Sequence, residues 1–161
     1  MEIGVYSGTS LIKILELIPN SIATAIDLWK DYYEQEDMKQ MEENNVEEYF
    51  RKNLKVMNMT DRVKIKKGNS QDILLDLINQ NEDKYDFIYV DGSHRCLDAY
   101  MDINLSWKLL NKGGIMVIDD YPYKKEQVLE SPFESVNEFI TKYQKEIKVL
   151  NKGYRVFLEK L

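Results

Sequence analysis

The sequence predicts an α/β fold, in which a doubly wound, seven-stranded and mostly parallel sheet ends in a C-terminal antiparallel hairpin strand. Short β-branched runs alternate with longer helix-patterned segments from one end of the chain to the other, and this alternation is typical of such a sheet. The last two strand segments are joined only by Asn151-Lys152-Gly153. That connection is too short for a parallel crossover but suits a hairpin.

The individual elements follow in regular order along the chain. Seven runs have the β-branched, apolar character of strands: Glu2–Val5, Ile22–Leu28, Val63–Lys67, Phe87–Asp91, Ile115–Asp119, Ile147–Leu150 and Arg155–Glu159. Five longer segments between them fit helices: Thr9–Leu17, Val46–Met57, Ser70–Asn79, Cys96–Leu110 and Pro132–Tyr143. Most of the seven glycines fall in turns beside strand ends, where a positive φ or a close backbone approach is needed.

The length and the start of the chain indicate a single domain over residues 1–161. With 161 residues, 43% of them hydrophobic, the chain is large enough for one core. The first strand of a doubly wound sheet is central, yet here only Met1 precedes it. We therefore expect a domain without the usual N-terminal extension. Apolar surface that this extension would cover should favour a homodimer or reduce the stability of the domain.

Composition excludes several classes of partner. The formal net charge is −6, and the densest basic stretch, Lys64 to Lys67, lies in a predicted strand, so we expect no binding to nucleic acid. The single cysteine, Cys96, excludes an internal disulfide and a cysteine-rich zinc site. No apolar run approaches a membrane span, and no leader precedes the first strand. We expect a soluble, cytoplasmic protein.

A glycine loop between the first strand and the first helix is the most informative segment. Gly4 and Gly8 would let the backbone turn and approach a ligand, while the helix offers unpaired N–H groups at its start. Asp27 ends the next strand about 20 residues later, where an acid can accept hydrogen bonds from ribose hydroxyls. The loop lacks the tighter G-x-G-x-x-G pattern, which disfavours NAD.

The run Glu2-x-Gly4-x-Tyr6-x-Gly8-x-Ser10 resembles the first motif of class I S-adenosylmethionine-dependent methyltransferases, in the form found in catechol O-methyltransferase-type enzymes. Gly68–Asp72 is similar to the segment with which those enzymes hold adenine. The resemblance implies a Rossmann-like fold and S-adenosyl-L-methionine as cofactor. It implies the following contacts to that cofactor: Glu2, Gly4, Tyr6, Gly8, Ser10, Asp27, Ser70, Gln71 and Asp91.

Two later segments, Phe87–His94 and Lys112–Tyr121, resemble the fourth and fifth strands of macrolide sugar O-methyltransferases, within methyltransferase family 24. The resemblance covers nearly the whole chain in the right order. It implies transfer of a methyl group to a hydroxyl of a small-molecule acceptor. It also implies metal ligands at Asp91, Asp119 and Asp120.

The three acids also make chemical sense without the resemblance. Asp91, Asp119 and Asp120 end two predicted strands, and the carboxyl ends of strands line the ligand crevice of an open α/β sheet. Three converging carboxylates repel one another unless a cation lies between them. Oxygen ligands suit a divalent cation such as Mg²⁺. The alternative is that Asp120 caps a turn and Asp91 accepts backbone N–H bonds.

His94, the only histidine of the chain, is a candidate general base, and with Asp91 it makes up the predicted catalytic residues. It follows Asp91 by three residues, outside a strand end, where catechol-type enzymes carry a lysine base. Imidazole can accept a proton near neutral pH. A purely structural role for this histidine is the alternative.

Three further features have simpler interpretations. Trp29 could pack on the adenine or form a core or lid contact, and Trp107 fits the core. The acidic run Glu34–Glu48 is read as a solvated lid segment. Two functional alternatives stay open: a cofactor-binding or assembly module without turnover, and a metal-dependent oxygenase-like relative.

Overall fold

The computed structural model describes residues 1–29, 46–81, 84–122 and 132–161. Its strands are β1 (Glu2–Ile3), β2 (Ala23–Asp27), β3 (Val63–Lys67), β4 (Tyr85–Val90), β5 (Leu110–Ile118), β6 (Ile147–Lys152) and β7 (Val156–Lys160). Its helices are α1 (Thr9–Leu17), α2 (Val46–Val56), α3 (Ser70–Asn79), α4 (Cys96–Leu109) and α5 (Pro132–Lys142), and a short 3₁₀ turn spans Thr60–Arg62. The segment expected to be a lid, up to residue 45, lies outside the described residues.

The seven strands form one sheet in the order β3-β2-β1-β4-β5-β7-β6. The pairs from β3 to β5 are parallel, and β7 is antiparallel to both β5 and β6. The expected fold class is therefore confirmed. The strand order reverses between β1 and β4, and ligands of open α/β sheets bind at the carboxyl ends beside such a switch point.

Most strand boundaries differ from expectation by one or two residues, and two of the differences involve a glycine. β1 ends at Ile3 rather than Val5, since Gly4 has a φ of 80° and turns the chain. β5 begins at Leu110 rather than Ile115. Leu110 pairs with Tyr85 and Ile115 with Phe87, so the residues between them, including Gly113 with a φ of 77°, bulge out of the ladder.

The core lies on both faces of the sheet. One cluster centres on α1 and α2 and contains Leu11 and Phe50; the other lies under α3, α4 and α5. In β2, Ala25 joins the first cluster and Ile26 the second, as the alternation of a strand requires. Trp107 is 3% exposed and meets the Phe139 ring edge-on at 5.3 Å, which confirms its core role.

The amino-terminal edge of the sheet carries exposed apolar side chains. Leu17 is 81% exposed and Ile22 is 68% exposed, and a groove beside them is lined in part by Met1, Ile18 and Phe87. Among the described helices, none combines the length and the apolar character that crossing a membrane requires. The basic residues of β3 lie on an edge strand, where Lys67 pairs with Glu47 at 2.5 Å.

Candidate active site at the switch point of the sheet

The glycine loop is shaped by contacts within the protein. A Cβ on Gly4 would stand 1.8 Å from the carbonyl oxygen of Asp91, and a Cβ on Gly8 would stand 2.5 Å from the Phe50 ring. Both glycines have positive φ, of 80° and 84°. The side of each glycine that lacks a Cβ thus faces the protein, so the missing side chains make room for the end of β4 and for α2.

Asp27 fixes the conformation of that loop from the end of β2. Its Oδ2 accepts a hydrogen bond from the Tyr6 backbone N–H at 2.7 Å, and its Oδ1 accepts one from the Trp29 backbone N–H at 2.7 Å. The two donating residues have positive φ, 52° at Tyr6 and 39° at Trp29. A carboxylate has about four acceptor positions, so Asp27 keeps the capacity to accept from a ribose hydroxyl.

Trp29 belongs to the core. Its ring stacks on Phe50 with the centroids 5.3 Å apart and the planes at 21°. Its Nε1 donates to the carbonyl of Tyr6 at 2.9 Å. Of the two interpretations of this residue, the core contact is confirmed, and Trp29 stabilises the glycine loop from below.

Glu2 is a buried acid with an incomplete set of partners. The residue is 0% exposed; its Oε1 accepts a hydrogen bond from the Ser10 hydroxyl, and its Oε2 has no partner among the described residues. Burial raises the pKa of Glu2 to about 8, the Ser10 hydrogen bond opposes that rise, and the charges of Asp91 and Asp27 add to it. Such a site favours a cation.

The two helices that begin at the crevice differ in how their first turns are satisfied. Gly8 is the N-cap of α1 and provides no side-chain cap. Asn69 caps α3, where its side chain accepts from the backbone N–H groups of Gln71 at 2.9 Å and Asp72 at 3.3 Å. The start of α1 can therefore offer N–H groups to an anionic group, whereas α3 can offer its side chains.

Ser70 and Gln71 at the start of α3 are held by two acids of α4. The Ser70 hydroxyl donates to Oδ1 of Asp102 at 2.7 Å, and Nε2 of Gln71 donates to Oδ1 of Asp98 at 3.4 Å. Asp102 is 2% exposed, and burial raises its pKa to about 7 against the Ser70 hydrogen bond. The sequence analysis did not identify Asp98 or Asp102. The feature that could have revealed them is their spacing of four residues, which places two acids on one face of a helix that is otherwise rich in buried residues.

An acidic cluster lies at the ends of β4 and β5. One ligand atom each from Asp91, His94 and Asp120 lie within 4.8 Å of one another. Nε2 of His94 is 2.7 Å from Oδ2 of Asp120, and the Tyr154 hydroxyl donates to Oδ1 of the same carboxylate. Burial, then the charges of Asp119 and Asp120, raise the pKa of Asp91 to about 7. This arrangement fits a divalent cation, which would relieve the repulsion.

Asp119 lies outside this three-residue cluster. It is 8% exposed; its Oδ2 accepts hydrogen bonds from the Tyr89 hydroxyl and from Nε of Arg155 at 2.9 Å, and its Oδ1 accepts the Asp120 backbone N–H at 2.8 Å. The carboxylate is thus already paired with a cation. Its role as a metal ligand stays a prediction, as do the other assignments of site residues.

Tyr154 and Arg155 are site residues that the sequence reasoning did not identify. The structure places both next to the acids because β7 runs antiparallel to β5, with Val156 opposite Ile118. Residues just before Val156 must therefore lie beside residues just after Ile118. The predicted hairpin contained this signal, since it fixes the direction of the last strand.

Comparisons with known proteins identify the family and the fold. A family model described as "Methyltransferase domain" matches residues 1–121. "Probable caffeoyl-CoA O-methyltransferase 3" from Dictyostelium discoideum is 29% identical over 122 residues, which are 74% of this chain and 42% of that protein. The chain therefore spans less than half the length of this curated relative.

Solved structures show the same fold at low sequence identity. An O-methyltransferase from Bacillus cereus in complex with SAH matches with a TM-score of 0.73 and 15% identity, over 99% of this chain and 72% of that one. TomG, an O-methyltransferase from Streptomyces achromogenes involved in tomaymycin synthesis and solved in complex with SAM, matches with a TM-score of 0.73 and 16% identity, over 99% and 71%. At this identity the likeness shows the fold alone.

Proposed function

The chain belongs to the methyltransferase domain family, and on that premise we propose that it transfers the methyl group of S-adenosyl-L-methionine to a hydroxyl oxygen of a small molecule. The observation that carries this proposal is Glu2, a fully buried carboxyl with one unpartnered oxygen, close enough to Asp27 and Asp91 for their charges to raise its pKa. The cofactor carries a positive sulfonium and a positive ammonium group. A crevice lined by these three acids favours such a cation over the anionic pyrophosphate of NAD.

The polar groups around the crevice support one orientation of the cofactor. Glu2 and Ser10 would take the ammonium group, and the uncapped start of α1 would take the carboxylate. Asp27 would accept from the ribose hydroxyls, and Ser70 with Gln71 would contact the adenine. Gly4, Tyr6 and Gly8 contribute the backbone that closes around the methionine portion.

The acidic cluster supports metal assistance. We infer that Asp91 and Asp120 would hold a divalent cation, and we propose Mg²⁺ because carboxylate oxygens are its preferred protein ligands. When bound, such an ion orients an acceptor hydroxyl and lowers its pKa. Asp119 is less available to join these ligands, because its carboxylate already accepts three hydrogen bonds, one of them within its ion pair with Arg155.

His94 supplies a proton acceptor next to these ligands. Its Nε2 contacts Asp120 at 2.7 Å, so the carboxylate orients the ring. In the proposed reaction His94 takes the proton of the acceptor hydroxyl while the oxygen forms a bond to the methyl carbon. The carbon–sulfur bond breaks, its electron pair returns to sulfur, and the products are a methyl ether and neutral S-adenosylhomocysteine. Alignment of oxygen, carbon and sulfur supplies much of the rate.

A methyl-transfer assay tests the proposal. Labelled S-adenosylmethionine is incubated with phenols and sugars, with Mg²⁺ or with excess chelator, and label transferred to the acceptor is counted. We expect transfer with Mg²⁺ and none with chelator. Cofactor binding without transfer to any acceptor would favour the alternative of a module without turnover, and transfer unaffected by chelator would reject the metal-assisted step.

A further inference from the structure

Helix α4 contributes two acids to the start of α3. Asp98 and Asp102 are four residues apart, so they lie on one face of α4. Asp102 accepts from the Ser70 hydroxyl at 2.7 Å, and Asp98 accepts from Gln71 at 3.4 Å and, through its other oxygen, from the Ser93 hydroxyl at 2.9 Å. The same face therefore contacts both residues that would read the adenine.

These hydrogen bonds determine which atoms Ser70 and Gln71 can present to a ligand. A hydroxyl has one hydrogen and two lone pairs, and the hydrogen of Ser70 is used by Asp102. An ionised carboxylate can only accept, so Gln71 must turn its amide N–H toward Asp98 and its oxygen the other way. Both side chains thus present acceptor oxygens to the crevice.

Asp102 is placed to hold this arrangement. It is 2% exposed, and its Oδ2 lies 3.1 Å from where a Cβ on Gly92 would stand, so neighbouring backbone limits its movement. Ser70 can contact the crevice because it is only partly buried. The buried acid acts on the ligand only through that serine.

We propose that Asp102, assisted by Asp98, is a positioning residue that makes Ser70 and Gln71 hydrogen-bond acceptors and so selects a cofactor base with an exocyclic amino group. This inference rests on the proposed function. An adenine offers a donor at that position and is accepted. A base with an oxo group there would place its oxygen against the acceptor oxygens of Ser70 and Gln71. We expect it to be rejected, because the bound ligand would cover these acceptors and leave them unpaired.

The test compares the affinities of S-adenosylhomocysteine and S-inosylhomocysteine by calorimetry at pH 8. For the original chain we expect a preference for the adenosyl form on the order of tenfold or more, the ratio of one unmade hydrogen bond. Asp102→Leu should reduce this ratio severalfold, because Ser70 is then free to donate to the oxo group. Asp102→Asn should retain it, since the amide oxygen still accepts from Ser70.

Two further variants complete the design. Asp76→Asn removes the same charge from an exposed position of α3 and should leave the ratio unchanged. Ser70→Ala removes the acceptor oxygen that Asp102 positions and should lower the ratio as well; it replaces Asp102→Leu in the comparison if that variant does not fold.

The outcomes separate the inference from the proposed function. If the original chain binds neither ligand, the proposed function fails. If it binds the adenosyl form but shows no preference, or if folded Asp102→Leu or Ser70→Ala keeps the full preference, only the inference is overturned.

Discussion

Above about pH 7, replacing Glu2 by Gln should stabilise the protein without cofactor, and by more as the pH rises. Glu2 is fully buried, and burial raises its pKa from 4.5 to about 8. Between these values the folded chain holds a proton that the unfolded chain has lost, so stability falls as pH rises through this window. At about 1.4 kcal/mol per pH unit, the window corresponds to at most about 5 kcal/mol.

Glutamine has no charge to desolvate, but its amide nitrogen replaces the unpartnered Oε2 and costs about 1–3 kcal/mol. At pH 9 we therefore expect Glu2→Gln to exceed the original chain by about 2–4 kcal/mol in the free energy of unfolding. At pH 5, where Glu2 is largely protonated, the cost of the unpaired amide remains, so the variant should be at most as stable as the original chain. Urea titrations at both pH values measure this. A gap that does not change with pH would refute the raised pKa.

The same substitution should act in the opposite direction on the cofactor. If Glu2 receives the ammonium group, it must ionise on binding, so the original chain should release a proton at pH 7 and Glu2→Gln should not. Calorimetry in buffers of different ionisation enthalpy detects that proton. The variant should bind S-adenosylhomocysteine more weakly by about 1–3 kcal/mol, the cost of one lost charge-assisted hydrogen bond. Unchanged affinity together with unchanged proton release would remove Glu2 from the site.

Asp27→Asn should weaken S-adenosylhomocysteine binding by about 1–3 kcal/mol in calorimetry. Asparagine is a better replacement than alanine because its one side-chain oxygen can still accept a hydrogen bond from the glycine loop. An unaltered affinity would exclude Asp27 from ribose binding. Asp120→Asn should reduce methyl transfer or its Mg²⁺ dependence far more than cofactor affinity, and a turnover equal to that of the original chain would contradict the metal assignment. Sedimentation should show either a homodimer that forms through the apolar amino-terminal edge of the sheet or a monomer with low stability. Ile22→Lys on that edge should weaken the dimer. A stable monomer with rapid turnover would contradict the expectation.

The fold was predictable because local patterns and long-range pairing agree. The β-branched runs become strands, and the short link at Gly153 becomes the hairpin that makes β7 antiparallel. The start of β5 was not predictable in the same way, because Gly113 belongs to a bulge that only the pairing with β4 reveals. A glycine between a helix and a strand indicates a turn, but it does not reveal whether the strand pairing begins before or after that glycine.

The site was predictable to the extent that strand ends reveal it. Asp27, Asp91 and Asp120 follow directly from the positions of strands in an α/β sheet. The partners of these acids were not predictable, because they come from elements distant in sequence: Arg155 pairs with Asp119 over 36 positions, and Asp102 meets Ser70 over 32. These contacts between distant elements determine which acid stays available to a ligand and which one is already paired within the protein.

Binding of S-adenosylhomocysteine, measured by calorimetry beside NAD⁺ on the same chain, tests the central claim most directly. The acidic crevice formed by Glu2, Asp27 and Asp91 predicts saturable binding of one S-adenosylhomocysteine per chain and no measurable binding of NAD⁺. A folded chain that binds NAD⁺ as well as S-adenosylhomocysteine, or that binds neither, would contradict the claim that this crevice is built for a cationic cofactor.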